Sequence, residues 1–482
     1  MSATDVKVDM PECIDVKSNV TISPERRARV RKALAKKLRS TSSFVVAINR
    51  LANPTSSVAA FASWDAPKPA AEHEEYVFPA DRFFAAMGEK VPALKPLAKI
   101  NGTMPGFATY CAQGPWPLRF TDAMLRGTSQ VVIVNNSLAG ALIFISLWIP
   151  SSGSEVAWSE AAYVAFNGFL SLAGATAFAM LSGIDANGVQ CGLFGYNGIL
   201  VGLALATFLE GGWDLVGLRT MIASPILGAL STLLQCALGN LLVPTFKTPP
   251  FTLAFNFTMI WFILGAVSKF GSFHAREFLA PGIPTMTHLE TEVPHPTEES
   301  CGGLYDVHLG FVLRAALTSV GQIFLCGSWA SGLIILVGTA VCSRVMALAL
   351  FFGALEAVLL GLALAVPCDE IDFGLWGYNS ALTATAVLTF FAPTRTAVVM
   401  AAFGVVLTVI LDGAFKQMMA PFGAPAGTLP FCAAALLLLL AQGKVAGFSA
   451  VPLPDVSTPE DHMISLRTDP EGRKLVLLTK QK

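Results

Sequence analysis

The phrase Gly192-Leu193-Phe194-Gly195-Tyr196-Asn197-Gly198-Ile199-Leu200 returns, almost letter for letter, as Gly374-Leu375-Trp376-Gly377-Tyr378-Asn379-Ser380-Ala381-Leu382. Each copy interrupts an otherwise apolar run. Polar, glycine-broken segments at corresponding places in two halves are the pattern expected where broken helices of two repeats meet along a path through a membrane. Two further features keep the same order around the phrase. Gln130 and Gln322 precede the copies, and Phe251-Thr252-Leu253-Ala254-Phe255 and Gly427-Thr428-Leu429-Pro430-Phe431 follow them, at separations of 192, 182 and 176 residues. Three matches in register identify an internal duplication.

Composition says where such a duplicated unit sits. With 54% hydrophobic and 13% charged residues among 482, and a mean hydropathy of +0.60, the chain is too apolar for a water-soluble domain and reads as an all-α polytopic membrane protein. A net charge of -1 offers no electrostatic basis for a nucleic-acid partner. The nine cysteines are scattered with no C-x-x-C pair, and they read as small packing residues rather than metal ligands. No cofactor or metal is expected. The acidic start, Met1 to Met10, lacks the order of a signal peptide, so the first membrane segment is expected to direct insertion.

Along the chain, residues 1–114 read as a cytoplasmic, partly disordered extension with a basic segment at 24–39, a solvated or lipid-facing helix. Residues 115–269 form the first membrane repeat, with room for roughly five spanning helices and one shorter re-entrant piece. Residues 270–307, acidic, proline-rich and poor in Lys and Arg, are expected outside the cell. The second repeat runs over 308–446 and a cytoplasmic tail over 447–482. Basic ends inside and an acidic loop outside require an odd number of crossings per half. Two inverted repeats of five transmembrane helices, each with a re-entrant half-helix and with the pore between the halves, satisfy both the charge bias and the duplication.

These residues resemble the urea transporter (urea channel) family. The resemblance covers about 118–446 and is carried by Leu125-Arg126-Gly127 before Gln130, Asn135-Asn136 after it, the paired G-L-aromatic-G-Y-N phrases, and the T-L-x-F and T-L-P-F turns. It implies passive passage of urea down its gradient without a cofactor, one pore per protomer, and a homotrimer embedded in lipid, expected in the plasma membrane. Matched residue by residue, it assigns Gln130 and Gln322 to the two mouths of a narrow filter and Thr252 and Thr428 to its middle. Tyr196 with Leu200 and Tyr378 with Leu382 become the walls of a flat slot, bordered by Ile133 and Ile323.

The chemistry of the residues is consistent with that reading. Urea is planar, neutral and rich in hydrogen-bonding groups. A glutamine amide both donates and accepts, flat apolar side chains can sandwich a planar molecule, and backbone carbonyls freed by broken helices can accept along the way. A lining without formal charge gives a dehydrated ion little compensation. Taken singly, each residue has a plainer reading: an intramembrane Gln joins helices, a Thr bonds its own helix, and a Tyr packs. Glu356, Asp412 and Lys416 lie in or near apolar segments without a counterpart in the first half, and interhelical or interfacial roles are expected for them. Ser137, Ala254 and Ile133 depart from the family pattern, and with them the width of the first slot. An ammonia, small-amide or water channel is one rival, although all six histidines fall in loops, tails or a segment edge. An ion-coupled secondary transporter is another, and an enzyme is the least favoured reading, with no H-E-x-x-H, P-loop or G-x-S-x-G motif to carry chemistry.

Overall fold

The computed structural model describes residues 95–151, 154–276 and 308–468, and these are helical, without a strand among them. The basic segment 24–39 and most of the acidic 270–307 loop lie outside the described residues. Two short helices, α1 (Lys95–Ile100) and α2 (Pro105–Gln113), lead in. The first half follows as α3 (Trp116–Gln130), α4 (Ser137–Ser146), α5 (Glu155–Leu181), α6 (Ala186–Gln190), α7 (Tyr196–Phe208), α8 (Leu215–Phe246) and α9 (Leu253–Ser268). The second half matches it element for element: α10 (Leu309–Gln322), α11 (Trp329–Cys342), α12 (Arg344–Ala363), α13 (Cys368–Asp372), α14 (Tyr378–Phe390), α15 (Arg395–Met419) and α16 (Leu429–Leu440). A final helix, α17 (Pro459–Thr468), closes the described chain.

Four of these helices are long and apolar enough to cross a membrane, two in each half: α5, α8, α12, and α15 with the 3-10 turn that extends it to Phe422. Each begins at a polar side chain that satisfies an orphan N–H of the first turn. Ser154, Asp214, Ser343 and Thr394 accept from the backbone N–H of Ala157, Gly217, Met346 and Ala397. The Gly217 N–H also holds the Asp214 carboxyl below its usual range. The remaining apolar helices run from 10 to 16 residues, shorter than the roughly 20 needed to span alone.

The duplication extends to the backbone angles. Ile133 (φ 63°) and Leu325 (φ 57°), Gly183 (φ 64°) and Ala365 (φ 54°), Gly192 (φ 76°) and Gly374 (φ 74°), and Phe251 (φ 48°) and Gly427 (φ 56°) are paired left-handed positions. Each half also closes with a single antiparallel bridge, Leu209 to Ala275 and Phe391 to Ala450. The second of these carries the repeated architecture past 446.

Close crossings hold the halves together. An added Cβ on Gly140 would fall 1.8 Å from the Leu125 carbonyl oxygen, and one on Gly332 the same distance from that of Leu317. Both short helix pairs therefore depend on glycine to fold back on themselves. Helices α4 and α11 pack across the two halves, joined where Ser331 Oγ donates to the Ser146 carbonyl at 2.9 Å.

Both flanking segments are tied into this core. Asn136 caps α4 with its Oδ1 and donates its Nδ2 to the Ile100 and Gly102 carbonyls at 2.9 and 2.7 Å. Gly102 in turn donates to the Cys342 carbonyl. The packed structure thus reaches back well before residue 115. From the other end, the Glu460 carboxylate accepts from Ser343 Oγ at 2.7 Å and from the Val345 N–H at 3.2 Å. The cysteines are not uniform packing residues: Cys368 is disulfide-bonded, whereas Cys111, Cys191, Cys236, Cys326, Cys342 and Cys432 are free.

Candidate functional site

The two threonines come together at the centre. Thr252 and Thr428 stand immediately before α9 and α16, where a threonine ordinarily caps the helix with its hydroxyl. Neither does so. Their hydroxyls instead meet each other at 2.6 Å across the two halves. A buried pair of neutral hydroxyls, 2% and 4% exposed, can donate and accept hydrogen bonds without presenting charge.

Residues four positions further on cross between the halves to support them. Asn256 Oδ1 accepts from the Thr428 N–H at 2.9 Å, and its Nδ2 donates to Thr428 Oγ1 at 2.9 Å. Cys432 Sγ lies 3.2 Å from Thr252 Oγ1. Asn256 and Cys432 were absent from the residues expected at the site, although each holds the same position after its threonine.

The repeated phrases hold the turns that present these threonines. Tyr196 donates to the Phe251 carbonyl at 2.5 Å and Tyr378 to the Gly427 carbonyl at 2.6 Å. The two tyrosine hydroxyls are therefore directed at the turns of their own halves rather than at each other. Gly192 does what a glycine is needed for. It sits at positive φ, and a Cβ there would lie 2.2 Å from the Gly127 nitrogen of α3. Phe251 packs edge-on to Phe390 and Phe431 at ring distances of 5.5 and 5.1 Å, which encloses the threonine turn in aromatic surface.

Beside each phrase lies one polar pair. Asn197 Nδ2 donates to Gln235 Oε1 at 3.0 Å in the first half, and Asn379 Nδ2 donates to Asp412 Oδ1 at 2.7 Å in the second. Asp412 thus has a counterpart after all, a neutral glutamine in the same place. Its charge is met by Lys416 at 3.2 Å, which also reaches Glu370 at 3.1 Å and lies 4.1 Å from the centre of the Trp376 ring. This is the interhelical role expected for Asp412 and Lys416. Glu356 is half-buried on α12.

The remaining candidates lie around the two ends. Gln130, at the end of α3, donates to the Cys191 carbonyl at 3.0 Å. Gln322, at the end of α10, is half-buried and lies near Gly327. Leu200, Leu382 and Ile323 are closed to water inside the main core, and Ile133 packs against that core. By its place and backbone angle, the counterpart of Ile133 is Leu325. Beyond Gln130, Arg126 is fully buried. It pairs with Asp122 at 3.0 Å and donates to Asn135 Oδ1 at 2.7 Å and to the Thr103 carbonyl. Ser137, a departure from the expected pattern, donates its hydroxyl to Asp122.

The family model described as Urea transporter matches residues 121–443. Proteins named Urea transporter 1 from Ovis aries and Capra hircus are 32% and 31% identical over 377 residues, covering 77% of this chain and 89% of each relative. The Mus musculus protein of the same name is 30% identical over the same length.

Proposed function

We propose, from the premise that this chain belongs to the urea transporter family, that it carries urea passively down its gradient through a pore between its two halves. Members of that family are transport proteins and not enzymes, and urea is the solute. The observation that carries the mechanism is the 2.6 Å contact between Thr252 and Thr428. It puts uncharged donors and acceptors where the repeats meet, and a dehydrated ion gains little there. Gln130 and Gln322 would take urea in and release it at the two mouths. Tyr196, Tyr378, Leu200, Leu382, Ile133 and Ile323 would shape the slot, the tyrosines by fixing the turns that carry the threonines.

The matched order of seven helices per half supports two oppositely oriented repeats. In a five-crossing half, the short helices supplement the two long ones. The same proposal extends to a homotrimer in plasma-membrane lipid, with one pore per protomer and both termini cytoplasmic.

The test is urea entry into proteoliposomes measured by stopped-flow light scattering. Entry faster than in protein-free vesicles, saturating with urea and indifferent to a proton or sodium gradient, is the expected result. Entry that requires either gradient would overturn the passive reading. Equal acceleration of ammonia or water without urea would overturn the solute assignment.

A further inference from the structure

We propose that Asn256 is a positioning residue that gives the two mid-pore threonines opposite hydrogen-bonding roles, Thr252 as donor and Thr428 as acceptor, and so selects a solute carrying a strong carbonyl acceptor beside N–H groups. This deepens the urea-pore reading and rests on it. The amide of Asn256 is oriented by two backbone groups that have no alternative. The Thr428 N–H can only donate, so the atom 2.9 Å from it is Oδ1. The Thr252 carbonyl can only accept, so the atom 2.9 Å from it is Nδ2.

The second hydrogen of Nδ2 then goes to Thr428 Oγ1, also at 2.9 Å. Accepting there leaves the Thr428 hydroxyl its own hydrogen, and in the proposed arrangement that hydrogen goes to Thr252 Oγ1 at 2.6 Å, a contact in which either oxygen could donate. It keeps one lone pair for a solute N–H. Thr252, having accepted from Thr428, keeps its own hydrogen, and the nearest acceptor for it is Cys432 Sγ at 3.2 Å. Thiol sulfur accepts weakly, so a urea carbonyl oxygen takes that hydrogen readily. The proposed direction of the chain, Asn256 to Thr428 to Thr252, rests on one difference between the repeats: the first half has an amide four residues after its threonine, and the second has a thiol.

Thiourea supplies the control, because its sulfur is a poor acceptor and gains little from a donor at Thr252. The experiment compares urea and thiourea flux in proteoliposomes of the full chain, Asn256→Leu, Thr428→Val, the double variant and Cys432→Ser. Asn256→Leu is expected to slow urea about tenfold, the effect of one lost hydrogen bond, and to bring the urea-to-thiourea ratio toward unity. Added to Thr428→Val, it is expected to change urea flux less than about twofold, since it acts through that hydroxyl. Cys432→Ser supplies a stronger acceptor that holds the Thr252 hydrogen, and the ratio is expected to fall in the same direction.

An unchanged ratio in Asn256→Leu, or effects of Asn256→Leu and Thr428→Val that simply multiply, would overturn the proposal. If Asn256→Leu does not elute as a folded protein, the Cys432→Ser ratio decides, a fall supporting the proposal and no change overturning it. A wild-type protein that moves no urea overturns the pore reading itself, an outcome distinct from any variant result.

Discussion

Asp412 and Gln235 occupy the same position in the two halves, each receiving the side-chain amide of the asparagine that follows the tyrosine of the repeated phrase, at 2.7 and 3.0 Å. The acid is therefore interchangeable with a glutamine at the level of that bond. Asp412→Gln is expected to cost less than about 1 kcal/mol, because Asn379 keeps an acceptor and Lys416 keeps Glu370. Asp412→Leu leaves the buried Asn379 amide without that acceptor, and about 2 kcal/mol of destabilisation is expected. Thermal melting of the detergent-solubilised protein separates the two, and equal melting of both variants would refute the assignment.

The tyrosine hydroxyls make an asymmetric prediction. Tyr196→Phe frees the Phe251 carbonyl and also strips the Gln235 Nε2 donor, 2.8 Å away, of its partner. Tyr378→Phe leaves the Gly427 carbonyl with Asn379 at 3.3 Å. Both variants are expected to slow urea entry by loosening the threonine turns. Tyr196→Phe should do so more, with a loss of stability of about 2 kcal/mol against about 1. Reversed order in stopped-flow and melting measurements would remove the turn-holding role.

At the mouths, Gln130→Ala and Gln322→Ala are each expected to reduce urea entry severalfold, since each removes an amide able to meet both edges of urea. Gln130 spends one donor on the Cys191 carbonyl, so Gln130→Glu, which can accept but not make that bond, should lose more than Gln322→Glu. Flux unchanged in both alanine variants would take the glutamines out of the filter.

The tail gives a pH prediction. His462 accepts from the Ser457 N–H through Nε2 at 2.8 Å, which only a neutral imidazole can do. Burial pushes its pKa from 6.5 down to about 4. A base depressed in the docked state binds more protons when undocked, so tail docking weakens as pH falls from about 6.5 toward 4, by about 2 kcal/mol at pH 5. The melting difference between the full chain and one ending at residue 456 should therefore narrow between pH 7.5 and pH 5. An equal difference at both values would show that His462 does not couple to docking.

Much of this candidate site is legible in the sequence, and for a definite reason. Thr252, Thr428, Gln130, Gln322 and the two phrases repeat with their chemical type intact, so spacing alone finds them. Gln235 and Asp412 share a place but not a charge state, and Asn256 and Cys432 share a place but not a functional group, so identity matching passes over both pairs. Ile133 and Leu325 share only a backbone angle that neither residue type signals. The bonds from Asn136 to Ile100 and Gly102 end on backbone carbonyls, which no side-chain pattern records. The shortness of α3, α4, α10 and α11 was hidden because an apolar run looks alike whether one helix spans it or two fold back at a glycine.

The junction at Cys342–Val345 is gripped by Gly102, near the start of the described chain, and by Glu460, near its end. During synthesis the first contact can form as soon as the second half begins to emerge. The second must wait until Glu460, more than a hundred residues further along, has also emerged. Until then the Val345 N–H, at the opening turn of a long buried helix, has no carboxylate to meet. A chain terminated before residue 460 would carry all four of the long apolar helices described and still show an unfinished helix start, which makes the tail a late check on how that helix begins.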